Sequence, residues 1–298
     1  MKFKELLSAT LFCAAFAVAT VSHATEGGGS VYPAGVENYT CCAVPPPGWY
    51  GIAYAEHFRS DTLRDSNGDR IPVPGFKVRA NVFAPRLIYV TPQTVAGGSL
   101  AVHAILPVVD LKVDAAGQSD SRSGIGDLTL GAALAWHHSA ALHTLIALDV
   151  YAPTGGYEAG RLANIGRNYW AVQPLVGVSY IDPNGINADA KVMYTVNAKN
   201  KDTDYRSGQE LIVDYALGWG LGNGWVVGAG GYVYEQTTDD RQAGATVSNA
   251  KGRAFAIGPS VRYDSGKGWF ATLKYHKDSN VRNRAEGSAL WLKAVVPF

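Results

Sequence analysis

The sequence predicts an all-β protein: a transmembrane, antiparallel, up-and-down β-barrel of about 12 strands, with a short irregular N-terminal arm. Three observations support this prediction. The C-terminal segment 289–298 alternates between two faces and ends on an aromatic residue, Phe298. Strand-like runs with an apolar residue at every second position follow one another along the chain. Short turns alternate with longer polar loops between these runs.

The N-terminal segment 1–24 has the features of a secretory signal peptide. A lysine-containing start precedes an apolar run at 6–21, and a small-x-small cleavage site follows at 22–24. Cleavage there would leave Thr25 as the mature N-terminus. We therefore expect an exported protein located in the bacterial outer membrane.

Residues 25–47 lack a strand pattern. A Gly-rich segment at 27–30 is flexible, and three consecutive prolines at 45–47 are stiff and extended. We expect a flexible periplasmic arm, either disordered or tucked into the barrel mouth. Within it, Cys41 and Cys42 are adjacent, which leaves open a strained vicinal bridge, a bond to another chain or the loss of the thiol pair.

The composition excludes one class of partner and leaves one soluble alternative open. The formal net charge of +1 argues against a dedicated nucleic-acid binder. Hydrophobic residues make up 47% of the chain and charged residues 17%, yet no segment after the signal peptide is apolar for about 18 residues. The same composition fits a soluble β-sandwich, in which the apolar rows would form the core.

The barrel is predicted to span 48–298. The expected strands are 48–60, 76–90, 99–113, 124–138, 142–153, 168–181, 186–198, 208–221, 225–237, 253–263, 269–277 and 286–298. Short turns are expected at 139–141, 182–185, 222–224 and 264–268, with 91–98 as the longest link of this set. Longer loops are expected near 61–75, 114–123, 154–167, 199–207, 238–252 and 278–285. Short turns on one rim and long loops on the other are typical of outer-membrane barrels.

The apolar rows suit contact with lipid. In the last strand Leu290, Leu292 and Val296 share one face, and aromatic residues such as Trp136 and Trp219 stand near the ends of other rows. A run of about 11 residues tilted by ~45° rises ~25 Å, which matches the apolar band of such barrels. The expected partners are outer-membrane lipid and lipopolysaccharide, and the barrel-insertion machinery, which would recognise the final strand.

The rows opposite the apolar ones would line the interior. The candidate pore-lining residues are Lys77, Arg79, Asn81, His103, Asp127, Asp149, Asn187, Asp189, Lys191, Glu210, Asp214, Arg262, Lys274, His276 and Lys293. Arg86 fits less well, because it shares the parity of Val82 and Ile88. Both charge signs occur, so no strong ion filter is expected. An open pore for a small solute and a plugged lumen remain equal alternatives.

Catalytic and metal-binding signals are weak, and no enzyme activity, cofactor or metal is expected. No Gly-x-Ser-x-Gly sequence occurs. Asp65, Asn67 and Asp69 have the spacing of the first calcium ligands of an EF-hand loop, but the twelfth position is Phe76. A solvated Asn-Gly turn is the alternative for this segment, and the sequence does not decide between them.

Several strings together resemble the SphA-type family of phenol meta-pathway degradation proteins. These strings are Pro45-Pro46-Pro47-Gly48-Trp49-Tyr50, Ser123-Gly124-Ile125-Gly126-Asp127-Leu128, Ala152-Pro153-Thr154-Gly155-Gly156-Tyr157, Asn164-Ile165-Gly166-Arg167-Asn168-Tyr169-Trp170, Asp214-Tyr215-Ala216-Leu217-Gly218-Trp219 and Lys293-Ala294-Val295-Val296-Pro297-Phe298. The resemblance runs from about Cys41 to Phe298. It implies a porin-like barrel associated with the catabolism of aromatic or hydrophobic compounds, and it carries over no site residue.

The expectation is a channel for small organic molecules, including aromatic or hydrophobic compounds. Two alternatives stay open. One is a structural or adhesive surface barrel with a closed lumen, and the other is an outer-membrane enzyme acting on lipid.

Overall fold

The structure is a computed structural model that describes residues 25–298, and the expected signal peptide at 1–24 lies outside the described residues. A short 3₁₀ turn, Glu26–Gly28, precedes the strands. The strands are β1 (Gly48–Arg64), β2 (Arg70–Ile71), β3 (Lys77–Val95), β4 (Gly98–Ile105), β5 (Val108–Ala115), β6 (Gln118–Ile125), β7 (Leu128–His137), β8 (Leu142–Ala152), β9 (Ala171–Ile181), β10 (Ile186–Asn197), β11 (Tyr205–Arg206), β12 (Glu210–Gly220), β13 (Trp225–Gln236), β14 (Asp240–Gln242), β15 (Ala245–Val247), β16 (Arg253–Asp264), β17 (Phe270–Arg282) and β18 (Ala285–Pro297).

The sheet closes into a barrel because β1 pairs with strands on both sides. It pairs antiparallel with β18, where Tyr54 lies opposite Lys293, and with β3, where Tyr54 lies opposite Ala84. The remaining neighbours follow in chain order around the wall. Strands β4 and β5 together form one crossing of the wall, and strands β6 and β7 together form the next. The barrel therefore has 12 crossings, as predicted. Closure pairs the wall strands on both sides, except that β6 pairs only with β5 among residues 25–298.

Two of the predicted strands are interrupted. The third crossing breaks at Leu106-Pro107 and the fourth at Gly126-Asp127, side by side in the wall. Proline has no N–H to donate, so the ladder cannot continue through residue 107. The two breaks are joined by one hydrogen bond, from the Gly126 N–H to the Pro107 carbonyl at 2.8 Å. The fourth crossing also begins at Gln118, six residues before the predicted start at 124.

One rim, which we call the short-turn rim, carries the tight turns together with both ends of the barrel, Gly48 and Phe298. The predicted long link at 91–98 is wrong. β3 and β4 continue to Val95 and Gly98, and only Ala96 and Gly97 turn, both at positive φ as a two-residue hairpin requires.

The opposite rim, which we call the long-loop rim, carries long connections at 153–170, 198–209 and 237–252. The predicted loops at 114–123 and 278–285 are wrong, because the flanking strands extend into them and leave two-residue turns. Their polar composition reflects strands that continue past the apolar band. Hydrophobic alternation alone does not register such extensions.

The outward face of the wall is strongly apolar. Leu217, Ile257, Leu273 and Leu290 point outward and are each between 45% and 61% exposed. A soluble sandwich would bury these rows as its core, so the soluble alternative is wrong. An outer face of this kind is suited to hydrocarbon.

Among residues 25–298, no helix is both long enough and apolar enough to cross a membrane.

Candidate functional site: the lumen and its N-terminal arm

The arm, residues 25–47, lies inside the barrel. Its first residues contact the loops of the long-loop rim, and its last residues reach β1 at the short-turn rim. Tyr39 and Cys42 in its middle are fully buried. Polar groups of the wall and of the rim loops bind this segment from Glu26 to Cys42, so these residues lie within the barrel, in the direction of the tucked alternative.

Glu37 is the charged centre of the arm. Its carboxylate lies 2.9 Å from the Lys293 Nζ, 3.3 Å from an Arg86 nitrogen and 4.0 Å from the Lys191 Nζ. The Tyr54 hydroxyl donates to the same carboxylate at 3.1 Å. Three wall cations thus surround one buried acid. An acid removed from water in this way is stabilised only by such close partners.

Asp214 and Lys274 hold the main chain of the arm. The Asp214 carboxylate accepts hydrogen bonds from the Gly35 N–H at 2.7 Å, the Glu37 N–H at 2.9 Å and the Tyr32 hydroxyl at 2.6 Å. The Lys274 ammonium donates to the Gly35 carbonyl and, at 2.8 Å, to the Glu37 carbonyl. The wall therefore satisfies backbone groups that have no strand partner.

Further polar contacts fix the arm between Glu37 and the short-turn rim. The Cys41 N–H donates to Asp189 at 2.9 Å, and the Cys42 N–H donates to the Ser179 hydroxyl at 3.0 Å. Both thiols are free, with their Sγ atoms 2.7 Å apart. Between Glu37 and the long-loop rim, the Ser30 hydroxyl donates to Glu210.

The lumen also contains an apolar cluster. Leu175, Met193 and Ile212 point inward and are between 0% and 5% exposed. Val31, Val36 and other apolar arm residues pack against this cluster. Charged groups hold the arm, and beside them hydrocarbon and aromatic side chains of the wall and the arm pack together.

The sequence matches the model of a family described as "Putative MetA-pathway of phenol degradation" over residues 60–294. The chain belongs to this family. None of the proteins with curated functions matches its sequence.

Among solved structures, the chain resembles the COG4313 outer membrane channel from Pseudomonas putida F1, with 20% identity, a TM-score of 0.77 and coverage of 90% of this chain and 100% of that one. It also matches a Pseudomonas aeruginosa FadL homologue, with 10% identity, a TM-score of 0.44 and coverage of 94% of this chain and 98% of that one. The CymD monoaromatic hydrocarbon channel matches with 10% identity, a TM-score of 0.45 and coverage of 95% and 99%. At 20% identity the likeness to the COG4313 channel is one of fold.

In this family member, eleven of the 15 candidate residues are buried on the inner side of the wall. They are His103, Asp149, Asn187, Asp189, Lys191, Glu210, Asp214, Arg262, Lys274, His276 and Lys293. Whether they line a route for solute stays a prediction. Asp127 lies at the break in the fourth crossing, where its carboxylate accepts from the Gly155 N–H at 2.8 Å and the Arg167 N–H at 2.7 Å. It therefore anchors the loop at 153–170.

The placement of Lys77, Arg79 and Asn81 inside the barrel is wrong. All three are exposed on the outer face of β3, where the Asn81 Oδ1 accepts a hydrogen bond from the His57 Nδ1 at 2.6 Å. This part of β3 extends toward the long-loop rim, and its outward face becomes apolar only from Phe83 onward. Polar residues were assigned inward because the strand was assumed to lie wholly in lipid.

Arg86 was left out of the candidate residues because the two faces of β3 were interchanged. Its side chain points inward and contacts Glu37. Glu37 itself was also missed, because the arm has no periodicity that would orient a side chain. One signal was available: Glu26 and Glu37 are the only charged residues in 25–47. Both turn out to be anchor points.

The calcium-like segment is a hydrogen-bonded turn. The Asp65 carboxylate accepts from the Asn67 N–H and the Asp69 N–H, each at 2.8 Å. Within the part of the chain that the structure describes, no group of three or more His, Cys, Asp or Glu residues is arranged to hold a metal ion.

Proposed function

We propose that this protein is an outer-membrane channel that takes up small hydrophobic organic compounds, including aromatic ones. The observation that carries the proposal is the apolar cluster around Met193 inside a closed, lipid-facing barrel. Membership of a family associated with phenol degradation supports aromatic compounds as the solute class. The likeness to an outer membrane channel supports the same reading at the level of fold.

The arm sets how a solute could pass. It occupies the axis of the barrel, so a hydrophilic solute meets a chain held by buried charges. A hydrophobic solute gains free energy against the apolar cluster instead, at about 25 cal/mol per Å² of apolar surface removed from water. This difference favours hydrophobic compounds over ions and sugars. Movement of the arm would then widen the route.

The test uses liposomes whose outer leaflet contains lipopolysaccharide, since hydrophobic compounds cross a plain phospholipid bilayer unaided. We expect the protein to accelerate entry of an aromatic compound more than entry of a sugar of similar size. Met193→Lys, which places a charge in the apolar cluster, should abolish most of this effect, whereas the matched control Met193→Leu should retain it. Equal aromatic uptake by folded Met193→Lys would contradict the proposed route.

A second candidate is a structural barrel with a closed lumen, which the bound arm itself favours. The liposome uptake assay distinguishes the two candidates. A folded protein that leaves aromatic entry at the protein-free rate would support the structural barrel and exclude the channel.

We also propose the setting in which this channel works. The expected signal peptide would export the chain, and the final strand ending at Phe298 would be recognised by the insertion machinery. Outer-membrane lipid and lipopolysaccharide would surround the apolar band. The long-loop rim would then face the cell exterior and the short-turn rim the periplasm.

A further inference from the structure

The outer end of the arm is buried in the long-loop rim. Thr25 is 0% exposed, and its backbone N–H donates a hydrogen bond to the Asp240 carboxylate. Asp240 begins β14 and is itself 0% exposed. The predicted mature N-terminus therefore lies directly on a buried acid.

Asp240 is surrounded by further donors. The Gly208 N–H and the Gln236 side-chain amide each donate to it at 2.6 Å, and the Tyr205 hydroxyl donates to its other oxygen. Asp240 belongs to none of the ion pairs found among residues 25–298. Burial raises the pKa of Asp240. A buried carboxylate without an ionic partner is costly, so a cation beside Asp240 would stabilise its charged form.

The next residue fixes where the Thr25 nitrogen lies. The Glu26 N–H donates to the Ser207 hydroxyl at 3.0 Å. Its carboxylate accepts from the Thr203 hydroxyl at 2.6 Å, the Tyr157 hydroxyl at 3.0 Å and the Asn200 amide at 2.9 Å. Two loops, 198–209 and 153–170, thus hold Glu26, and this fixes the preceding backbone nitrogen beside Asp240.

The backbone of Thr25 provides an independent observation. Its φ is +60°, a left-handed value that a β-branched residue rarely adopts. At this φ the carbonyl group of the preceding residue crowds the Cβ of Thr25, and this contact is the source of the strain. An N-terminal residue has no preceding carbonyl. The conformation is therefore strained in an uncleaved chain and unstrained once residue 24 is removed.

We propose that Asp240 is a binding site for the α-ammonium group that signal-peptide cleavage creates at Thr25, and that this ion pair locks the arm in the lumen. A signal peptidase hydrolyses the Ala24–Thr25 bond: the hydroxyl of water goes to the Ala24 carbonyl carbon, and hydrogen goes to the Thr25 nitrogen. The resulting amine takes up a proton from water at neutral pH. Processing of the same chain thus supplies the cationic partner that the buried Asp240 carboxylate lacks.

The test begins with full-length protein expressed with its own signal peptide and extracted from the membrane. Mass spectrometry should place the mature N-terminus at Thr25. An amine-reactive reagent then reports the free Thr25 amine, quantified on the N-terminal peptide over a range of pH. In the parent protein the midpoint should lie above the ordinary value of about 7.7–8.0, because the ion pair stabilises the ammonium form.

Asp240→Asn should lower this midpoint and speed labelling at pH 7.5 about tenfold, which corresponds to about one pKa unit. Asp239→Asn is the matched control, since this neighbour lies 4.0 Å from the Lys251 Nζ with 38% of its side chain exposed. A Gly inserted before Thr25 moves the amine by about 3.5 Å. Labelling of that variant should be fast and should not change further with Asp240→Asn.

Folding of each variant is verified by the altered gel mobility of an unheated barrel. A mature N-terminus at any other residue would overturn the proposal. So would equal labelling midpoints in the parent protein and in folded Asp240→Asn. The readout is the amine itself, so it is independent of whether the barrel transports any solute.

Discussion

Neutralising Glu37 should release the arm from the lumen. Glu37→Gln leaves Lys293, Lys191 and Arg86 buried around a neutral amide, although all three cations lie within 4.0 Å of the original carboxylate. Removing one partner of a buried ion pair costs about 3–5 kcal/mol. Each 1.4 kcal/mol is tenfold, so the equilibrium between bound and released arm should shift roughly 10²-fold to a few thousand-fold.

The buried Cys42 thiol reports this equilibrium directly, since it is 0% exposed while the arm is bound. Under reducing conditions, a polar thiol reagent should modify Cys42 at least tenfold faster in Glu37→Gln than in the parent protein. Conductance in planar bilayers should rise in parallel. Glu235→Gln is the matched control, because its ion pair with Arg253 lies on the outer surface with 44% of the Glu235 side chain exposed.

A Cys42 labelling rate within twofold of the parent rate, in a folded Glu37→Gln barrel, would refute the reasoning. It would mean that backbone contacts alone hold the arm. The charges around Glu37 would then compensate one another without contributing to binding.

Four other outcomes are expected. Lys274→Met removes two hydrogen bonds to arm carbonyls and should speed Cys42 labelling about tenfold. Deletion of Phe298 should reduce the yield of assembled barrel, measured by gel mobility without heating. Hydrogen bonding from Arg161 lowers the pKa of Asp120. The stabilisation that this pair gives the loop at 153–170 is therefore present above about pH 4 and is lost as the pH falls through the lowered pKa. Proteolysis of the loop at pH 7 and in acid, with Asp120→Asn for comparison, measures this stabilisation. A membrane-impermeant thiol reagent should modify Asn81→Cys on intact cells and not Ala80→Cys, with Cys41 and Cys42 replaced by serine in both.

The strand pattern was predictable because lipid imposes it. Wherever a strand crosses hydrocarbon, outward residues must be apolar, so alternation in β10, β12 and β18 gives both the strand and its orientation. The prediction failed where this constraint ends. Outside the apolar band, as around Asn81, the outward face is free to be polar, and polarity no longer distinguishes inside from outside.

The interior was predictable only in part. Asp214 and Lys274 could be oriented from the parity of their strands. Their partners Gly35 and Glu37 could not be predicted, because the arm has no repeating pattern and because more than 170 residues of sequence separate the partners from the wall residues that bind them. Contacts of that kind depend on closure of the whole barrel.

The contacts of the arm divide into two kinds with different consequences for its position. Asp214 and Lys274 bind main-chain groups, and an extended chain of almost any sequence could present these. Two features define which part of the arm lies there: the carboxylate of Glu37, and Gly35 at φ +87°, where an added Cβ would meet the His276 ring at 2.7 Å. The register of the arm therefore depends on a three-residue segment. This explains how a chain without secondary structure occupies one defined path through the barrel.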